Sequence, residues 1–290
     1  MKPFALLFPC ILLTVSGPMP AAERDPLKFY ASFDAPIISE SSGFVKSRAF
    51  EDLYWTHNDS GDAARIFAVN RNGQIHQPDW FQGDYQGIAI GNATNIDWED
   101  IAIDGDNNLY IGAFGNNGNA RRDLAIYVVP EPNYKHALGA RALKTIPVAY
   151  PDQDSFPPAR SERNFDCEAL FYANEKLYML SKNRGDNQTK LYRLDSEVPN
   201  EVNVLTLIDS YDVQGQVTGA DSTPDGSKIA VLTYNAIWLF EKPEDSDNYL
   251  DGDVSVKWIG AGQCEGICFD DDETLIITNE QAKLYEVKLS

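Results

Sequence analysis

Glu99, Glu168 and Glu265 stand at the same place in three copies of one sequence pattern. Each opens a short apolar run: "EDIAIDGDNNLYIG", "EALFYANEKLYML" and "EGICFDDDETLII". Two further copies carry Ser42 and Thr218 at that place. A carboxylate at the door of a buried strand costs several kcal/mol unless it finds a partner. The loop after the second strand of each copy adds more oxygen: Asn58 and Asp59, Asn116 and Asn117, Asn183, Asn235, then Asn279 and Glu280. Glutamates brought together at low dielectric either hold their protons or share a cation. Carboxylate and amide oxygens without a His or Cys cluster suit Ca²⁺ first and Mg²⁺ or Mn²⁺ second. The expected metal set is therefore Glu99, Glu168, Glu265, Asn116, Asn183, Asn235 and Asn279. The alternative is a construction device, in which each glutamate accepts backbone amides of the neighbouring unit.

Other side chains bear on that site. His57, in the "THNDSGD" loop, is the one histidine placed to move a proton there, and the plainer reading is a surface loop residue. Arg65, Arg121, Arg122, Lys182 and Arg184 fall in loops or strand starts beyond the same end, where they would hold a small anion such as a phosphate or carboxylate. Trp98 takes the place that Cys167 and Cys264 fill in other copies, which predicts packing. Asp97 and Asp100 are open between supporting a ligand and facing solvent. Sequence signatures of a serine nucleophile, a zinc protease helix, a P-loop or a dinucleotide fold are absent. "DGDNNLY" is no EF-hand, because Leu109 stands where that loop needs glycine.

The elements that must position these groups are strands. The repeat starts at residues 42, 99, 168, 218 and 265, with spacings of 57, 69, 50 and 47. Each copy reads as a strand, a polar turn such as "DGDN" or "PDGS", a second strand such as "LYI" or "LYM", and a third. Helical periodicity is absent over any long window. "VNVLTLIDSY" (202–211) and "VSVKWIG" (254–260) read as fourth strands. Repeated four-stranded sheets that close radially make a β-propeller, here all-β with five blades. The last copy lacks an outer strand, and "LKFYASFD" (27–34) is expected to supply it. Six blades would need a hidden repeat in 130–163, which reads as a loop. In such a blade the head of strand one and the loop after strand two share the upper face, so the oxygen-rich positions converge on one mouth.

Composition bounds the partners. The 290 residues carry a net charge of −20, with a pI near 4.4. Such a surface repels nucleic acid and anionic lipid and attracts cations. "MKPFALLFPCILLTVSGPMPAAE" has the features of a signal peptide (1–22), cut near Ala22, leaving one domain over 23–290 in the periplasm or outside the cell. Pro9 interrupts the apolar run, and Pro9 before Cys10 argues against lipidation. Three cysteines then remain, too few for a disulfide framework, though one bridge with a free thiol is open. The expected state is a monomer, off the membrane, binding a small anionic molecule or a protein ligand.

"DWEDIAID", "LYIGAFGNN" and "RRDLAIYVVPEP" resemble the pattern of exported SdiA-regulated and phytase-like propellers. "CEGICFDDDETLIITNE" with "KLYEV" is more distantly similar to senescence-marker/gluconolactonase-like units. The resemblance spans about residues 37–288 as a fold, and 95–132 is its specific part. It implies a propeller, an axial calcium site and, in the enzymatic relatives, hydrolysis of lactones or phosphate esters. Ala113-Phe114 departs from the acid usual before the Gly-Asn-Asn triplet, which removes one ligand.

Overall fold

The computed structural model describes residues 27–289 except 187 and 261, so the expected signal peptide lies outside the described residues. Five antiparallel sheets form a ring of blades. The first strands, lining the axis, are Ser41–Lys46, Asp100–Ile103, Cys167–Ala173, Val217–Ser222 and Cys264–Asp271. The fourth strands are Ile88–Gly91, Lys144–Ala149, Thr206–Asp212, Val254–Trp258 and Lys28–Ser32. Lys28–Ser32 pairs antiparallel with the third strand of the last copy, Lys28 opposite Glu286 and Ser32 opposite Lys283. The N-terminal strand thus closes the ring, and no sixth sheet is present among the described residues.

Two details differ from the sequence reading. The 130–163 connection is more than a loop: Lys144–Ala149 is the fourth strand of blade 2, and Gly139–Arg141 adds parallel to the edge of blade 1. The 202–211 run serves two blades, because Asn203–Val204 pairs with Val148–Ala149 while Thr206–Asp212 completes blade 3. Both additions cover sheet edges that would otherwise expose unpaired amides.

Blades adhere through alternate residues of facing sheets. Between blades 1 and 2, Val45, Trp55 and Ile66 meet Trp98, Ile101 and Ile111. At the closing interface Phe44, Tyr54 and Phe67 meet Cys268, Ile276 and Leu284. Each such large apolar side chain contributes about 1.5–3 kcal/mol by burial. Cys167, Cys264 and Cys268 are buried and unbridged. Among the described residues no helix is long and apolar enough to cross a membrane.

One irregularity positions the mouth. Four first strands carry a register shift at their start, between Ser41 and Gly43, Cys167 and Ala169, Val217 and Gly219, and Cys264 and Gly266. The extra residues are Ser42, Glu168, Thr218 and Glu265. A bulge leaves one residue outside the ladder and re-aims its side chain. In blade 2 the regular ladder begins at Asp100 opposite Gly112, and the Glu99 amide donates to the Gly112 carbonyl at 3.0 Å. All five residues are buried, and the Ser42 hydroxyl donates to the Glu99 carbonyl at 2.7 Å, stitching blade 1 to blade 2.

Candidate metal centre

Blades 2 and 3 enter their first strands with the same spacing, Asp97-Trp98-Glu99 and Asp166-Cys167-Glu168. Side chains alternate along extended backbone. Trp98 and Cys167 are fully buried in the inter-blade core, so each flanking acid pair turns the other way, toward the mouth. Trp98 packs edge-on against His57 and donates its indole N–H to the Thr94 carbonyl at 3.1 Å. Asn95 fixes the turn before it: Oδ1 accepts the Trp98 amide at 3.1 Å, while Nδ2 donates to the carbonyls of Asn58 and Asp59. That clasp carries Asp59, from the loop after strand two of blade 1, to the acids of blade 2.

The outcome is two overlapping triads. Carboxylate oxygens of Asp59, Asp97 and Glu99 lie within 4.8 Å of one another, and so do those of Glu99, Asp166 and Glu168. Glu99 belongs to both. Gly115 lets the blade 2 loop close over them: its amide donates to the Asp97 carbonyl at 3.2 Å, and a Cβ there would collide with Glu99 Oε1 and lie 2.6 Å from Asp97 Oδ2.

The triads differ in what balances their charge. Lys182 Nζ lies 3.0 Å from Glu168 Oε2, and Arg184 lies 3.4 Å from Oε1 while its Nε pairs with Asp166. Asp166 also accepts the Asn116 amide at 2.6 Å. Lys182 donates to the Tyr234 hydroxyl at 3.1 Å, and Tyr234 donates in turn to Glu265 at 3.1 Å. The carboxylate of Glu99, a residue only 4 % exposed, has no hydrogen bond or ion pair among the described residues. Burial, then Glu168, Asp59, Asp166 and Asp97, push its carboxyl well above the ordinary glutamate range. Burial and then Asp59 and Asp166 raise Asp97 to about 6, against the pull of Arg121 and Arg184. Burial and Asp166 raise Glu168 to about 8 despite Lys182, and burial raises Glu265 to about 7.

The expected ligands divide. Glu99, Glu168 and Glu265 do stand at the mouth, but the asparagines turn inward on their own loops. Asn116 Oδ1 accepts the amides of Ala120 and Arg121, both at 2.9 Å, and Nδ2 donates to the Phe165 carbonyl. Asn235 Oδ1 accepts the Thr233 hydroxyl, and Asn279 Oδ1 accepts the amides of Gln281 and Lys283. Asn183 donates to the Asp186 carbonyl, and its Oδ1 is buried without a partner. Asp59, Asp97 and Asp166 complete the triads. The doubled Asp-x-Glu spacing was the signal for two of them.

His57 is not on a surface loop. It is fully buried at the end of strand Tyr54–Asn58, its Nδ1 3.1 Å from the Asn58 carbonyl, and burial lowers its pKa. Arg65 is held by Asp62 and Gln86 on blade 1, and Arg122 lies over the Phe156 ring at 3.7 Å. Arg121 and Arg184 do reach the mouth: Arg121 donates to the Gly115 carbonyl at 2.6 Å, and Arg184 donates to Asn117. The construction device exists too, one residue along. Asp100 Oδ2 accepts the amides of Leu170 at 2.8 Å and Ala220 at 3.3 Å, and Asp221 accepts that of Phe269 at 2.8 Å. These aspartates occupy edge amides of other blades, which leaves the glutamates to the mouth.

No family model matches the sequence, and no curated protein matches it. One similar solved structure is described as a "putative gluconolactonase", with TM-score 0.45 and 13% identity, covering 81% of this chain and 70% of that one. The five sheets and their closure establish the propeller without it.

Hard divalent cations fit this donor set. The ligand atoms are all carboxylate oxygens, one of them on a buried, unpartnered side chain, and Gly115 keeps the space beside them free of a Cβ.

Proposed function

We propose that this protein is an exported, monomeric, divalent-cation-dependent hydrolase of lactones or phosphate esters, with calcium the first choice of ion and Mg²⁺ or Mn²⁺ the second. The observation that carries the reading is the Asp59–Asp97–Glu99 triad, three acids with no ion pair to a side chain among the described residues. Asp59, Asp97 and Glu99 would hold the ion. When bound, it would polarise a carbonyl or phosphoryl oxygen of the substrate. Arg121 and Arg184 flank the acids and retain N–H donors able to orient an anionic group. A cavity of about 420 Å³ beside Arg184, lined by Asn183, Gln214 and Gln216, offers room and amide groups for the rest of a small polar molecule.

A panel of lactones and phosphomonoesters, assayed with calcium and with chelator, tests this reading. Turnover should need the ion and fall at least roughly 100-fold in Glu99→Gln, the scale of an electrostatic group in a water-excluded site. Turnover that survives both chelator and Glu99→Gln would remove the metal mechanism. A non-catalytic scaffold has its own support in Trp80, 57% exposed, and neighbouring Phe81, which could take a protein ligand. Calcium binding without turnover, with binding of a protein lost in Trp80→Ala, would favour it.

A further inference from the structure

The two triads share Glu99, yet the acids of one are already paired with cations of the protein's own: Arg184 holds Asp166 and Glu168, and Lys182 holds Glu168. Lys182 is only 5 % exposed, and its backbone amide donates to the Asp166 carbonyl at 2.6 Å, which pins the residue beside Glu168. Its ammonium finds Glu168 Oε2 at 3.0 Å and the Tyr234 hydroxyl at 3.1 Å, with the Tyr234 ring centroid at 5.2 Å. Tyr234 gives its proton to Glu265, so its lone pairs are free to accept from Lys182. Arg184 closes the outer side through Asp166, Glu168 and Asn117. Lys182 and Arg184 thus occupy both oxygens of Glu168 and one of Asp166.

Charge accounting supports one further ion and not two. Six carboxylates (Asp59, Asp97, Glu99, Asp166, Glu168 and Glu265) face three basic side chains (Arg121, Lys182 and Arg184) at the mouth. One divalent cation leaves the cluster near balance, while a second would sit beside an ammonium it repels. Glu99, buried and without a partner of its own, is the carboxylate left over for the outer ion.

We propose that Lys182, with Arg184 beside it, is a tethered cation that supplies at Glu168 the charge a second metal ion would bring, so that the mouth takes one divalent ion at Asp59–Asp97–Glu99 and none at Glu99–Asp166–Glu168. The inference rests on the metal reading above. In two-metal hydrolases the second ion steadies the charge on attacking and leaving oxygens. Lys182 and Arg184 supply fixed positive charge to Glu168 and Asp166, and a chelator cannot remove it.

The test is metal stoichiometry of the full chain, by titration calorimetry with Ca²⁺ and by electron paramagnetic resonance with Mn²⁺. Wild type should take about one ion per chain, with the spectrum of an isolated Mn²⁺, and Lys182→Met about two, with spin coupling through the shared Glu99. Lys182→Gln repeats the measurement with a polar replacement, in case the methionine variant does not fold. Two ions in wild type, or an unchanged count in a folded Lys182 variant, would overturn the proposal. No ion in wild type but one in Lys182→Met would uphold the tethered cation and defeat the outer-triad reading, so the two failures are separable. No ion in any of the three proteins would defeat both.

Discussion

Blades 2 and 3 present the same Asp-x-Glu at the same height of the channel and treat it in opposite ways. In blade 3 the pair is answered from within its own sheet, by Lys182 and Arg184 just past strand Lys176–Ser181. In blade 2 the residues just past strand Asn108–Ala113 are Phe114 and Gly115, one buried in the core and the other without a side chain. Burial is nearly equal, with Glu99 4 % and Glu168 3 % exposed, so desolvation does not distinguish them. What differs is the partner. A buried charge with a fitted counter-ion contributes to a unique structure, whereas one without is held at a cost and is available to a ligand.

The sharpest way to break this comparison is the same substitution in both blades. Glu168→Gln leaves Lys182 and Arg184 without their shared acceptor, and loss of one partner of a buried pair costs about 3–5 kcal/mol. Glu99→Gln removes a like charge from a crowded site, and in chelator it should stabilise the protein by about 1 kcal/mol. With calcium at 100 times its Kd, wild type should gain about 2.7 kcal/mol, and Glu99→Gln should gain none. Thermal melts of the three proteins with and without calcium give all of these values. Destabilisation by both substitutions in chelator would mean that the blades are not electrostatically different.

Titration sharpens it next. Asp97, Glu265 and Glu168 have folded pKa values of about 6, about 7 and about 8, all above their unfolded values. Between the unfolded and folded values the native state binds more protons than the unfolded one, so metal-free stability falls as pH rises. The decline should run from about pH 4 to about pH 8, each group contributing up to about 1.4 kcal/mol per pH unit between its unfolded and folded values. Saturating calcium, which prefers the ionised carboxylates, should flatten or reverse it. Denaturant midpoints at constant ionic strength across that range provide the measurement. A metal-free profile that rises with pH would contradict the crowding of acids at the mouth.

Much of this was legible in the sequence, because turns and strand periodicity repeat. Five "LYI"-like second strands, the turns before them and the orphan N-terminal strand sufficed for the closed ring. The heads of the first strands were legible too, since duplication keeps a bulge in register. The asparagines turn to their own loops for a physical reason. An amide after a strand satisfies its own turn first, as Asn116, Asn235 and Asn279 do, before it is free for a ligand. Asp59 belongs to a different blade from Glu99, and only the Asn95 clasp brings them together. No spacing along the chain encodes that. Lys182 and Arg184, expected to hold an anion, are paired with the acids of their own blade.

The smallest perturbation addresses the geometry of blade 2 rather than its charge. Gly115 needs no left-handed backbone; it is glycine because a Cβ would meet Asp97 and Glu99. Gly115→Ala adds one methyl group where the neighbours are two carboxylates on a loop already fastened by the Asp97 carbonyl and Arg121. The loop has to retreat, and overpacking of this kind costs about 1–3 kcal/mol. The displaced acids would lose the outer triad while leaving Lys182, Glu168 and Asp166 in place. Calcium affinity should therefore drop at least roughly tenfold, equivalent to about 1.4 kcal/mol, with the blade 3 ion pairs intact in a crystal structure of the variant. Unchanged affinity would place the ion away from Asp97 and Glu99, and the difference between the two blades would then concern stability alone.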